Sequence, residues 1–227
     1  MCGITGIFNL QNLPSPSMDE LKPMITRLAH RGPDGYGYYA DNQVGLAHAR
    51  LSIIDLQGGD QPIHNENNSI QVVFNGEIFN YIELRKALEG QGHSFYTQSD
   101  TEVIVHLYEQ YGDSFVNHLN GQFAIALWDK ESRRLILARD RTGIRPLFYS
   151  VTGGRLFFAS EVKALFAHPA LKRRLDIRAM GEIFTYWAPL PSHSIFEGIA
   201  TLPPGHIMCV EKGELDIRRY WDWQFPT

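Results

Sequence analysis

A cysteine stands at position 2, directly behind the initiator methionine, in the opening stretch MCGITGIFNL. Removal of Met1 ahead of so small a residue leaves Cys2 with a free α-amino group beside its thiol. An α-amine titrates at about 7.7–8.0 and a thiol at about 8.5, so near neutrality the neutral amine can take the thiol proton, directly or through a water. One residue then carries both nucleophile and base, the N-terminal-nucleophile arrangement. Position 2 holds a small residue in many chains for reasons of processing alone, and a lone Cys2 is usually incidental.

Three further stretches carry residue types that could serve such a nucleophile. In FNGEIFN, Asn75 and Gly76 put an amide side chain next to an unhindered backbone N–H, two donors able to converge on a tetrahedral oxyanion. Asn-Gly is also the strongest short hairpin signal, and taken alone the pair reads as a turn. In ARLSIID, Arg50 heads an apolar strand and could grip a carboxylate bidentately; an ion pair with Asp55 or Glu77 is the structural alternative. In QSDTE, Asp100 could meet a cationic amine, or simply cap the helix that follows.

These residues must be positioned by a substantial core. The chain has 227 residues, 44% of them hydrophobic and 20% charged, which fits one large domain. Its 21 basic and 25 acidic residues give a net charge of -4, so nothing favours nucleic acid or an anionic membrane as partner. The most apolar run, FAIALW, is strand-sized, and the N-terminus has no basic n-region or long apolar segment; a soluble, cytoplasmic protein is expected. Two cysteines, Cys2 and Cys209, are too few for a disulfide scaffold and suit a reducing compartment.

Periodicity predicts a first strand over 3–10 and a helix over 18–30 capped by Ser17. Strands follow over 36–40, 44–53 and the segment IQVVFNGEIF, then a helix capped by Asn80 and a second one after Asp100. Four strand-like runs after Gly121, helices over 161–167 and 177–187, and a closing hairpin in HIMCVEKGELDIRRYWDW complete the chain. Strands and helices come in groups instead of alternating, which predicts antiparallel sheets with helical layers, an α+β architecture.

Other signals fail. Gly35, Gly37 and Ala40 have the spacing of a dinucleotide fingerprint but follow a Pro-Asp loop and lead into a strand. There is no Walker A loop, no H-E-x-x-H, and no paired cysteines, so neither a cofactor nor a metal is expected in this domain. Cys209 lies in an apolar strand and reads as a buried core thiol.

Taken together, Cys2 with HRGPDG, ARLSIID, NGEIFN, SDTEV, GQFAIALWD, RDRTGIRPLFY, FASEVKAL and LPPGH resembles the class II glutamine amidotransferase domain of the glutamine-hydrolysing asparagine synthetases. The motifs run in order over nearly the whole chain. The resemblance implies a four-layer αββα sandwich in which the cysteine begins a core strand. It implies Cys2 as nucleophile, its α-amine as base and acid, and Asn75 and Gly76 as the oxyanion hole. It also implies Arg50 as the clamp on the carboxylate of glutamine and Asp100 with Glu77 as contacts to its α-amino group, with Leu51 and Ile53 in the segment lining the pocket.

On that basis residues 1–211 are expected to form the glutaminase domain, with 212–227 a C-terminal segment or linker toward an ATP-dependent synthetase domain. ATP and magnesium belong to that second domain, whose S-G-G-x-D-S loop does not occur here. The expected reaction is hydrolysis of glutamine to glutamate and ammonia through a γ-glutamyl thioester, the ammonia serving to amidate aspartate or a related carboxylate. A homodimer is allowed for. The alternatives are another N-terminal-nucleophile amidohydrolase and a non-catalytic binding module of the same fold.

Overall fold

The first strand, β1 (Gly3–Asn9), is buried along its whole length because both of its faces are packed. Alternation sends Ile4 and Phe8 to one side and Ile7 to the other. A computed structural model describes residues 1–225 and explains this double burial through its layers.

After β1 come α1 (Met18–Thr26), β2 (Gly35–Ala40), β3 (Val44–Arg50), β4 (Ile63–His64), β5 (Ile70–Ile78), α2 (Tyr81–Glu89) and α3 (Glu102–Tyr111). A 3-10 segment (Gly112–Asn117) leads into β6 (Gly121–Asp129), β7 (Arg134–Arg139), β8 (Phe148–Thr152), β9 (Arg155–Ala159) and α4 (Val162–Leu165). The chain closes with α5 (Ile177–Tyr186), β10 (Ala200–Thr201), β11 (His206–Glu211) and β12 (Glu214–Arg219). One sheet has the order β10-β8-β9-β1-β3-β2 and the other β12-β11-β7-β6-β5-β4, with antiparallel pairing throughout.

Three apolar clusters define four layers. Leu21, Met24 and Ile25 of α1 pack on Ile7, Ala47 and Phe157 of the first sheet. Ile4, Phe8 and Leu46 face Val73, Ala126 and Trp128 of the second sheet across the middle. Val72, Phe74 and Ile125 meet Val103, Ile104 and Leu107 of α3 on the far side. The order is helix, sheet, sheet, helix, the expected αββα sandwich. Because every central strand is covered on both faces, strands such as FAIALW read as continuous apolar runs.

Local chemistry explains most boundaries. Ser17 Oγ accepts from Glu20 N at 3.3 Å while Glu20 Oε2 accepts from Ser17 N at 2.9 Å, a capping box. The helix it starts ends at Thr26, earlier than the pattern to His30 predicts. Beyond it Leu28 N and Arg31 N donate to carbonyls three residues back, so the last turns are tight instead of α-helical. Between β8 and β9, Gly153 and Gly154 stand at φ 58° and 73°, the primed turn that a two-residue hairpin needs. Asn80 corrects an expectation. Its side chain does not cap α2 but ties the neighbouring loop, donating to His118 O and accepting from Asn120 N, each at 3.0 Å.

Candidate active site

The register of β1 with β3 places Gly3 opposite Ala49, so Cys2 falls beside Arg50 and Leu51 at the end of β3. The thiol lies against the Leu51 backbone: Leu51 N–H donates to Sγ at 3.4 Å, and Sγ lies 3.6 Å from the Leu51 carbonyl as donor. Its own carbonyl accepts from Arg31 Nε at 2.9 Å, and Arg31 pairs with Glu161 at 2.9 Å. Ile4 exchanges hydrogen bonds with Ser160 in both directions, at 3.0 and 2.9 Å. These bonds hold a chain end that would otherwise fray. Burial pushes the Cys2 thiol up, while the Leu51 N–H, the amino terminus and Arg50 pull it back.

The second sheet contributes β5. Asn75 and Gly76 lie inside this strand and form no turn. Asn75 shares the face of Val73, toward the first sheet, and is 1% exposed with neither its amide nitrogen nor its oxygen hydrogen-bonded. On the strand edge, Phe74 N–H donates to Gln61 Oε1 at 2.6 Å and Ile78 N–H to Asp100 Oδ2 at 2.9 Å. Alternation directs the Gly76 N–H to that same edge, between those two bonds. Glycine is required there for close approach: a Cβ at Gly76 would stand 2.0 Å from the Gln122 carbonyl oxygen.

Arg50 is gripped by the loop after β3. Its guanidinium donates to Asp60 Oδ1 at 2.7 Å, to Asp55 O at 2.5 Å and to Leu56 O at 3.3 Å. Its ionic partner is therefore Asp60, not Asp55 or Glu77. The Asp55 carboxylate instead accepts from Gln98 N and Gly58 N, which hold it below the usual range. Asp100 does not cap α3, where Thr101 occupies the cap position. It is buried, and burial raises its carboxyl to about 6, with the Ile78 N–H opposing and Glu77 adding to the rise.

One cavity of about 60 Å³ is lined by all of these residues, Cys2, Arg50, Leu51, Ile53, Asn75, Gly76, Glu77 and Asp100. Ile53, 58% exposed, stands at its mouth. Sequence reasoning did not single out other residues of its wall, among them Met1, His48, Gln61 and Arg145. His48 lies two residues before Arg50 on the same strand face, which is the signal that could have found it. It is fully buried with neither ring nitrogen hydrogen-bonded; burial and the nearby Arg50 charge push its pKa down to about 3, so it is a neutral imidazole. The Arg145 guanidinium contacts the Met1 sulfur. A thiol, an unpartnered amide, a guanidinium and a carboxyl group thus line one small space, a set able to split an amide of a zwitterionic substrate.

The chain matches the model of the glutamine amidotransferase domain family over residues 1–221, and it belongs to that family. It is 38% identical over 225 residues to asparagine synthetase [glutamine-hydrolyzing] 3 of Bacillus subtilis, covering 98% of this chain and 37% of that protein. It is 43% identical over 236 residues to asparagine synthetase [glutamine-hydrolyzing] 2 of the same organism, covering 99% and 31%. Amidase chry2 of Gibberella zeae is 38% identical over 239 residues, covering all of this chain and 35% of that protein. The chain therefore spans about a third of the length of the curated relatives it matches. The solved glutamine phosphoribosylpyrophosphate amidotransferase of B. subtilis shares the fold, with a TM-score of 0.69 at 22% identity over 97% of this chain and 49% of that one.

Proposed function

We propose that this amidotransferase domain hydrolyses glutamine at Cys2 and delivers the ammonia to an ATP-dependent synthetase domain that amidates aspartate or a related carboxylate. The observation that carries this reading is the buried, unpartnered amide of Asn75 on the cavity that also holds Cys2, Arg50 and Asp100. Buried polar groups are nearly always paired, so an orphan beside a nucleophile is a donor waiting for charge that forms during the reaction.

The sequence of steps follows from the chain's own groups. Loss of Met1 frees the Cys2 amine and opens the cavity, which with Met1 on its wall has room for only a few waters. The amine takes the thiol proton, and the thiolate attacks the side-chain carbonyl carbon of glutamine. Asn75 Nδ2 and Gly76 N–H receive the oxyanion, each worth about 2.7–4 kcal/mol in the transition state. The protonated amine returns its proton to the departing nitrogen, ammonia leaves, and water hydrolyses the thioester to glutamate.

Recognition relies on opposite charges. Arg50, fixed by Asp60 and the loop carbonyls, meets the α-carboxylate; Asp100, with Glu77 beside it, meets the α-ammonium, and Leu51 and Ile53 flank the entry. An amide lacking either charge forgoes one of these two contacts and binds more weakly. The partner domain is supported by the length of the relatives and by the outer face of α5, where Phe184 is 85% and Trp187 at its end 94% exposed. ATP and magnesium would act in that domain. The cytoplasm is the compartment that fits two free cysteines; among the described residues no helix is long and apolar enough to cross a membrane.

The test is glutamate release. Chain processed to Cys2 is expected to release glutamate from glutamine, and the Cys2→Ala variant to release none. Equal release from both contradicts the proposal.

A further inference from the structure

Four side chains that do not line the Cys2 cavity converge on the far side of α3. The ligand atoms of Glu66, His93, His106 and Glu109 all lie within 4.8 Å of one another. His106 Nδ1 is 3.1 Å from Glu109 Oε2 and 3.6 Å from Glu66 Oε2, and His93 Nδ1 is 3.4 Å from Glu109 Oε2. Ligands held about 2.0–2.2 Å from a tetrahedral zinc ion stand about 3.3–3.6 Å apart, so these separations already approximate the edges of such a tetrahedron. We propose that Glu66, His93, His106 and Glu109 form a binding site for one divalent ion of the zinc class, separate from the glutamine site.

The outer contacts support this. The oxygen or nitrogen that each ligand would not use for metal is directed at a neighbour. Glu109 Oε1 accepts from Asn65 Nδ2 at 2.8 Å, and Glu66 Oε1 accepts from Ser94 N at 2.8 Å. His93 Nε2 faces Gln110 Oε1 at 3.3 Å. The fully buried His106 turns Nε2 toward Glu102 Oε1 at 3.6 Å. Glu102 is itself fixed by Tyr96 N, Thr97 N and the Thr97 hydroxyl. Glu102 thus stands behind the ring just beyond hydrogen-bond length, while Nδ1 is the nitrogen that faces Glu109 and Glu66.

Charge and ligand type select the ion. Two carboxylates and two neutral imidazoles balance a dication, and imidazole with carboxylate in a four-fold set suits zinc, whereas magnesium and calcium seek six or more oxygens. Glu66 has 40% of its side chain exposed, which gives the ion a way in from solvent. The competing occupant is a proton, shared between His106 Nδ1 and Glu109 Oε2 at 3.1 Å, which the ion would displace. The ligands come from three separate segments, with only His106 and Glu109 one turn apart on α3, so no spacing motif announces them.

The test is titration of the metal-stripped full chain with zinc, and with cobalt(II) as a spectroscopic probe of geometry. The expected result is one equivalent bound, a visible tetrahedral cobalt spectrum, and the same result in Cys2→Ala. Glu66→Gln with His93→Gln is expected to weaken binding at least about 100-fold, since even outer partners are worth about 10–100-fold. Glu66→Gln alone, at the most exposed ligand, serves if the double variant does not fold. Absence of stoichiometric binding, an octahedral cobalt spectrum, affinity unchanged by these variants, or loss of binding in Cys2→Ala would each overturn the proposal.

Discussion

Ile78 N–H donates to Asp100 Oδ2 at 2.9 Å, which fastens the candidate ammonium reader to the same strand that carries Asn75 and Gly76. The Asp100 carboxyl and the candidate oxyanion donors are therefore held to one strand. The candidate nucleophile, Cys2, arrives from the other sheet. Catalytic geometry then depends on the packing of the two sheets as much as on any side chain at the site.

The Asp100 carboxyl, raised from 3.8 to about 6 by burial, carries a pH signature. Ammonium binding needs the ionised form, so KM for glutamine is expected to rise about tenfold on going from about pH 7 to about pH 5. Initial rates over a pH series check this. A KM flat across that range removes Asp100 from recognition.

The same shift has a stability consequence with a defined sign. Because the folded form holds the proton more tightly than the unfolded one between about 4 and 6, this group's contribution to stability falls as pH rises through that window. Asp100→Asn keeps an acceptor for Ile78 N–H and removes the buried charge. It is expected to stabilise the fold at neutral pH by about 1–3 kcal/mol while abolishing productive glutamine binding. Thermal unfolding at two pH values, with the variant beside the parent, measures it.

Asn75→Ala is expected to lower kcat about 10²–10³-fold with KM little changed, because its amide is engaged only when the oxyanion forms. Since that amide has no partner in the resting fold, thermal stability should be unchanged or higher. A variant that unfolds with its activity would instead make Asn75 a structural residue.

Arg50→Lys keeps the charge and loses the planar fork. KM is expected to rise about 10–100-fold, a loss of the size of a charged hydrogen bond. The loop that the guanidinium holds through the Asp55 and Leu56 carbonyls should open to protease at the same time. Limited proteolysis beside steady-state kinetics separates the two effects.

Gly6→Ala tests the sandwich itself. A Cβ there would stand 2.3 Å from the Phe158 ring and 2.6 Å from the Gly45 carbonyl oxygen, and the Phe158 ring belongs to the core between the sheets. A stability loss of about 1–3 kcal/mol is expected in denaturant unfolding.

Much of the sandwich was legible because its strands are buried on both faces, which turns FAIALW into an unbroken apolar run and leaves GITGIFN nearly so. Asn75–Gly76 was misleading alone, since a local Asn-Gly signals a turn and only pairing with β6 keeps the pair inside a strand. Asp100 and Asn80 look like caps for the same local reason, whereas their actual partners, Ile78 and the 118–120 loop, are remote in sequence. His48 was passed over because a single histidine in an apolar strand matches no motif, and its two-residue spacing from Arg50 informs only once Arg50 is placed on the cavity. Its place on the cavity comes from the register of β3 against β1.

The most direct measurement is covalent capture of the nucleophile. Chain processed to Cys2 and incubated with the diazoketone analogue of glutamine should gain the mass of one adduct, confined to the peptide that begins at residue 2 and suppressed by excess glutamine. Chain that retains Met1 should gain none. Labelling at another residue, or equal labelling with Met1 in place, would contradict catalysis by an N-terminal Cys2.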